Sequence, residues 1–176
     1  MPVSTMKKST IRRAGAADAK PLAALGERTF AAAFGAMYPP EDLAAFVAET
    51  HSPAAVSALL ADPNVALWLA ERDGVAIAYA LAGPCGLPHP EVTPGCGELK
   101  RIYVDANAQG EGLGGMLMDQ ALCWLQTSPR RRLWIGVWSG NLGAHRLYRR
   151  YGFEKVGEYS FVVGASRDQE FIFSRG

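Results

Sequence analysis

The sequence is poor in residues that bind metal ions or form disulfide bonds. Its 176 residues include three cysteines and three histidines. Cys85, Cys96 and Cys123 form no CxxC pair, and the histidines add no spacing that is typical of a metal site. We therefore expect reduced cysteines with no chemical role, no resident metal, and a compartment that keeps thiols reduced.

A strong net charge and a long apolar run are also absent. The chain carries 18 basic and 17 acidic residues, so no global field would recruit nucleic acid or a membrane surface. Its longest apolar stretch, residues 75–83, is far too short to span a bilayer. The opening "MPVSTMKKST" has two lysines but no apolar region after them, unlike a secretory signal. These features predict a cytoplasmic protein that binds neither nucleic acid nor membrane.

The hydrophobic pattern predicts a single mixed α/β domain over residues 10–176, preceded by a tail at 1–9. Asp18 and the Ser52–Pro53 pair are typical helix starts, and Arg72-Asp73-Gly74 is typical of a hairpin turn. A stretch rich in proline and glycine, 83–97, is expected to be irregular. The predicted order begins with a strand at 9–14, helices before 62, and strands at 65–71, 75–83 and 98–104. It continues with a helix at 113–127, a strand at 132–138, a helix from Asn141 to Gly152, and strands at 153–163 and 169–174.

The segment "QGEGLGGMLM" (109–118) places four glycines just before a helical pattern. Taken literally it contains GxGxxG, the dinucleotide-binding pattern, but "DANAQ" separates it from the preceding strand. No acidic residue lies between Asp119 and Glu154 to bind a ribose, although an arginine of 130–132 could bind a phosphorylated one. Met116 stands where a P-loop needs lysine. Glycines at a helix start still favour an anion such as pyrophosphate, because backbone amides there lack partners; a tight turn alone is the simpler alternative.

Two motifs together resemble the GNAT (Gcn5-related) N-acetyltransferases. Gln109-x-x-Gly112-x-Gly114, after a strand that ends at Val104, resembles the acyl-CoA signature of that family. "NLGAHRLYRRYGF" (141–153) looks like its later motif, and the resemblance covers residues 10–174. It implies the GNAT fold, a mixed central sheet of about seven strands flanked by helices and splayed at the acyl-CoA site. It also implies acetyl-CoA as cosubstrate, an enzyme without metal, and allows for a homodimer.

The resemblance also implies roles for individual residues. Tyr148 is expected to be the general acid, with packing as the alternative. Glu98 is the candidate base, acting through water, unless it is a strand-end charge without a chemical role. Asn141 would contact the cofactor, act as a plain helix cap, or do both. Backbone groups would bind the pantetheine arm at Ile102, Tyr103 and Val104, and the pyrophosphate at Gln109, Gly110, Glu111, Gly112, Leu113, Gly114 and Gly115.

Two stretches of the sequence bear on the identity of the amine acceptor. "ERTFAAAFGAMYPPEDLAAFVAET" and residues 136–164 resemble bacterial polyamine (spermidine/spermine) acetyltransferases. Four carboxylates on the acceptor side could attract a polycation or simply form a solvated helix face: Glu27, Glu41, Asp42 and Glu49. A small amine such as an amino sugar, a peptide or ribosomal-protein N-terminus, and a non-catalytic acyl-CoA-binding domain remain the alternatives.

Overall fold

The computed structural model describes residues 8–128 and 131–176. Most of the predicted tail (1–9), and Arg130 of the alternative ribose-phosphate interpretation, lie outside these residues. The helices and strands follow the predicted order. The helices are α1 (Ala19–Phe34), α2 (Pro40–Thr50), α3 (Pro53–Ala61), α4 (Leu113–Leu125) and α5 (Leu142–Arg150). The strands are β1 (Thr10–Arg13), β2 (Ala66–Arg72), β3 (Val75–Pro84), β4 (Gly97–Val104), β5 (Leu133–Trp138), β6 (Glu154–Val163) and β7 (Ser166–Arg175).

Seven strands form one mixed sheet in the order β1-β2-β3-β4-β5-β7-β6. Every neighbouring pair is antiparallel except β4 and β5, which run parallel. These two strands pair only from Gly97 to Leu99 on β4, although both continue beyond that point. The sheet is therefore splayed between β4 and β5, which confirms the expected fold class.

A bulge at Lys100 decides which side chains of β4 face which layer. Leu81 of β3 pairs with Arg101, and the next residue of β3, Ala82, pairs with Leu99. Lys100 is therefore an extra residue on β4. Ile102 and Val104 consequently share a face with Leu99 and pack into the core beneath α4. Arg101 and Tyr103 turn to the opposite face, where Tyr103 packs with the α1 layer.

Capping and turn residues determine where several helices and strands begin or end. Ser52 Oγ accepts a hydrogen bond from the Ala55 amide at 3.2 Å, as its predicted cap role requires. Asp73 and Gly74 both have positive φ, which suits a two-residue hairpin turn. Asp18 occupies the N-cap position of α1, as predicted, but its side chain makes no capping hydrogen bond to this helix. Its carboxylate instead accepts from the Gly15 amide and from Arg12, because the chain before α1 forms a short 3-10 turn.

Residues 40–61 are long and apolar enough, by length and composition alone, to cross a membrane as one helix, and little of this stretch is buried. They form two helices of 11 and 9 residues, α2 and α3, which are separated at His51 and Ser52. Each is shorter than the roughly 20 residues that a crossing needs.

Candidate active site

A cavity of about 1140 Å³ opens where β4 and β5 separate. Its walls come from α1, α2, β4, the start of α4, β5, α5 and β7. On the β5 side, β4 has no strand partner after Leu99, so its backbone edge from Lys100 onward faces this gap. An extended ligand could pair with that edge as an additional strand would.

The glycine-rich loop forms one end of the cavity. Gly110 and Gly112 have a φ of 81°, a left-handed conformation that favours glycine. A β-carbon at either position would meet no atom within 4 Å. The backbone conformation, and not crowding by neighbouring atoms, therefore favours glycine at these two positions. No side chain caps the start of α4, so its first amides retain the capacity to bind an anion. This arrangement fits a pyrophosphate.

Nearly all residues predicted to bind the cofactor lie on this cavity. The exception is Glu111, whose carboxylate forms an ion pair with Arg72 outside it. Asn141 lines the cavity and also caps α5, since its Oδ1 accepts from the Ala144 amide at 3.1 Å. The lining residues are Ile102, Tyr103, Val104, Gln109, Gly110, Gly112, Leu113, Gly114, Gly115 and Asn141.

Tyr148 and Tyr151, one helical turn apart, have different surroundings. Tyr148 is 4% exposed, lines the cavity and packs edge-on against Phe173, with 6.1 Å between ring centroids. Burial, together with the negative charge of Glu170, raises the pKa of Tyr148 well above its usual value. Tyr148 is therefore a protonated phenol at neutral pH. The Tyr151 hydroxyl lies 3.0 Å from the Gly115 carbonyl and 2.8 Å from Asp119 Oδ1, so it joins α5 to α4.

Glu98 is buried at the point where β4 and β5 last pair. Its Oε2 accepts from the Gly86 amide at 2.9 Å and from Lys100 Nζ at 3.0 Å. The carboxylate lines the cavity, yet Lys100 already balances its charge.

The half of the cavity nearest α1 and α2 is rich in aromatic rings. Its aromatic residues from α1, α2, β5 and β6, and from the loop after α1, are Phe30, Phe34, Tyr38, Phe46, Trp138 and Phe161. Glu170, on β7, also lines the cavity, and its carboxylate accepts a hydrogen bond from the Tyr159 hydroxyl. The pKa of Glu170 is raised, chiefly because burial disfavours its charged form; Asp168 and Glu98 add to the effect.

The four acceptor-side carboxylates suggested by the sequence do not line the cavity. Glu27, Glu41 and Glu49 are exposed on α1 and α2, and Asp42 Oδ2 accepts from the Ala165 amide at 3.3 Å.

Glu170 lines the cavity but was not predicted as a site residue from the sequence. Strand alternation could have found it, because Glu170 shares a face of β7 with buried Ile172 and is an acid at an inward position. Among the described residues, no group of three or more His, Cys, Asp or Glu is placed to hold a metal ion.

Comparison with known proteins relates this geometry to characterised folds. A model described as the Acetyltransferase (GNAT) family matches residues 29–153. An uncharacterized N-acetyltransferase of Lactobacillus delbrueckii subsp. lactis is 30% identical over 152 residues, which cover 86% of this chain and 88% of that protein. The spermine/spermidine N(1)-acetyltransferase of Bacillus subtilis is 33% identical over 64 residues, or 36% of this chain and 42% of that one. The PaiA N-acetyltransferase of Thermoplasma acidophilum, solved in complex with coenzyme A, has the same fold, with a TM-score of 0.75 and 15% sequence identity. The superposition covers 96% of this chain and 98% of that one.

Proposed function

The chain belongs to the GNAT family of acetyltransferases and is an N-acetyltransferase, and on this premise we propose that its acceptor is a polyamine or a similar small primary amine. One observation carries the proposal. One end of the cavity contains the unpaired edge of β4 and the uncapped start of α4. The other end of the same cavity contains aromatic rings and the carboxylate of Glu170. The first part suits an acyl-CoA, and the second suits a cationic amine.

The residues at the cofactor end fit coenzyme A. The open edge of β4 at Ile102, Tyr103 and Val104 would pair with the pantetheine arm, and the amides of 109–115 would hold the pyrophosphate. Asn141 would add a contact from the end of β5. When bound, acetyl-CoA supplies the acetyl group as an activated thioester. A backbone amide of 102–104 would polarise its carbonyl oxygen.

The reaction requires two proton transfers. An alkylammonium has a pKa near 10.4, so at neutral pH the nucleophilic form is scarce, at a cost of about 4 kcal/mol. Glu98, acting through water, would accept the proton that the amine loses. Tyr148 would donate its proton to the departing thiolate, a role supported by its position on the wall of the cavity.

Two further observations support a polyamine as the acceptor. The aromatic residues and Glu170 lie at the acceptor end of the cavity, where ring faces and a carboxylate favour an alkylammonium over a neutral amine. The partial similarity to the spermine/spermidine enzyme points to the same chemistry. We also propose that residues 10–176 form a single catalytic domain and that it forms a homodimer. We propose that it works in the cytoplasm, where its free cysteines would stay reduced.

An assay of free thiol release tests this function directly. We expect CoA release from acetyl-CoA with spermidine or spermine, and much less with an aminoglycoside or a peptide. Tyr148→Phe should lower kcat about 100-fold or more and leave the Kd for CoA unchanged. Tyr151→Phe is the matched control, because that hydroxyl joins two helices outside the proposed chemistry; its kcat should stay within a few-fold of wild type.

Three outcomes would change the assignment. Failure of both polyamines beside turnover of another amine would replace the acceptor. CoA binding with no turnover for any amine would favour a non-catalytic acyl-CoA-binding domain. Equal loss of kcat and CoA affinity in Tyr148→Phe would remove the general-acid role.

A further inference from the structure

Glu170 differs from the other carboxylate of the cavity in having no cation beside it. Glu98 is paired with Lys100. Within residues 8–128 and 131–176, no lysine, arginine or histidine lies at ion-pair distance from Glu170, and its hydrogen-bond donor is the neutral hydroxyl of Tyr159. A partly buried carboxylate without a counter-ion is unfavourable for the empty protein. Such a charge is well suited to a ligand that brings the missing positive charge.

The surroundings of Glu170 add to its negative potential. Asp168 lies two positions earlier on the same face of β7, about 7 Å along the strand, and accepts a hydrogen bond from the Tyr38 hydroxyl. It too lacks a cationic partner among the described residues. Burial raises the pKa of Glu170, and the nearby acids raise it further, as expected where negative charges have no cation between them.

Aromatic rings complete the environment of an ammonium group. Trp138 pairs with Glu170 across β5 and β7, and Phe34 meets the Trp138 ring edge-on at 6.1 Å. Both rings line the cavity. Ring faces attract alkylammonium groups and offer no hydrogen bond to neutral polar ligands.

The chemistry of acetyl transfer argues against Glu170 as the partner of the reacting nitrogen. A carboxylate beside an ammonium stabilises its protonated form, whereas the attacking amine must lose a proton. We propose that Glu170 binds a second, non-reacting ammonium of the acceptor, so that the enzyme selects diamines and polyamines over monoamines. This inference rests on the proposed amine acetylation.

The test compares 1,4-diaminobutane with 1-aminobutane, which share a reactive primary amine and differ in the second ammonium. Wild type should prefer the diamine in kcat/KM by roughly 10- to 100-fold, the range of a charged hydrogen bond. In Glu170→Gln, which keeps the side-chain size, this preference should fall to within about 3-fold of unity. The main change should be a higher KM for the diamine, whereas kcat/KM for the monoamine should fall much less and the Kd for CoA should match that of wild type.

Glu158→Gln is the matched control. It removes one negative charge from the neighbouring strand β6, where Glu158 is exposed and paired with Lys155. It should retain the diamine preference. If Glu170→Gln proves unstable, Glu170→Asp, which shortens the side chain and keeps the charge, should show an intermediate preference.

The outcomes separate this inference from the proposed function. Acetylation of both amines with no diamine preference in wild type, or a preference that survives in Glu170→Gln, would overturn the role of Glu170 and leave the N-acetyltransferase activity intact. Absence of turnover with every amine would overturn the proposed function. Calorimetry of 1,4-diaminobutane with the CoA-bound protein would then decide about Glu170: at least 10-fold weaker binding in Glu170→Gln supports the inference, and equal or undetectable binding in both proteins contradicts it.

Discussion

His51 lies between helices α2 and α3, with its ring against the backbone of Gly26 and 5.5 Å from the Phe30 ring centroid. Its Nδ1 is 2.6 Å from Thr50 Oγ1, whereas its buried Nε2 has no hydrogen-bond partner among the described residues. Burial lowers the pKa of His51 to about 4, and the charge of Arg101 contributes in the same direction. The fold therefore holds a neutral imidazole where the unfolded chain has one of ordinary pKa.

This difference predicts how stability depends on pH. Because the folded-state pKa is lowered, the unfolded chain binds a proton more readily between pH 6.5 and about 4. The stabilisation from neutral His51 is complete above pH 6.5 and is lost as the pH falls towards 4, at a cost of about 3 kcal/mol. Urea unfolding across this interval should show a steeper decline for wild type than for His51→Gln, which has no titrating ring. Parallel pH curves for the two proteins would contradict the prediction, whatever their absolute stabilities.

At the scale of elements, the first turn of α4 shows how a helix start can be shaped for a ligand. Gly112 immediately precedes this helix with a positive φ, and Gly114 lies in its first turn. An added β-carbon at 114 would make only an ordinary contact, 3.8 Å from Leu147 Cδ2. Alanine is the better helix former, so glycine at 114 is unfavourable for the helix, and we predict that it permits the close approach of a bound anion.

Alanine substitutions at these two positions should separate stability from cofactor binding. Gly112→Ala forces a β-carbon into a left-handed conformation and should lower the free energy of unfolding by about 1 kcal/mol. Gly114→Ala should leave the stability unchanged or raise it by up to about 1 kcal/mol, yet weaken CoA binding because its methyl group enters the cavity. Denaturant unfolding and calorimetry with CoA measure the two effects. A Gly114→Ala protein with unaltered CoA affinity would place the pyrophosphate elsewhere.

The elements themselves could be predicted because their signals are local. Ser52 and Asn141 cap helices with their own side chains, and Asp73-Gly74 forms a hairpin turn with its neighbours. The bulge at Lys100 could not be predicted, because it depends on how β4 meets β3. The separation of β4 from β5 after Leu99 followed from the family resemblance, and no local pattern in β4 indicates it.

At the scale of the whole molecule, strand order decides which residues share the cavity. β7 lies between β5 and β6, so the final hairpin brings Glu170 opposite Trp138 and next to residues of α1 and α2. The sequence places the acidic residues of α1 and α2 within the acceptor motifs, which is why they were candidates for binding a polycation. Helix periodicity turns Glu27 and Glu41 outward, and aromatic residues such as Phe30 and Phe46 take the inner face. Pairing between distant strands, rather than proximity in sequence, supplies the carboxylate that we propose binds the acceptor.

A ligand that bridges β4, α4 and α5 should stabilise the whole domain, and this separates coenzyme A from the dinucleotide alternative. A ligand that binds only the folded state adds about 2.7 kcal/mol at a concentration 100 times its Kd. For a chain of this size that corresponds to a rise in Tm of about 5–10 °C. We therefore expect CoA and acetyl-CoA to raise Tm in a saturable way, and NAD(H) and NADP(H) at equal concentrations to leave it within about 1 °C of the free protein. Glu170→Gln should show the same CoA shift as wild type, because Glu170 is not among the residues proposed to bind CoA. Stabilisation by a nicotinamide dinucleotide, with none by CoA, would mean that the glycine loop binds a dinucleotide, and it would remove the basis for an acetyl-transfer site.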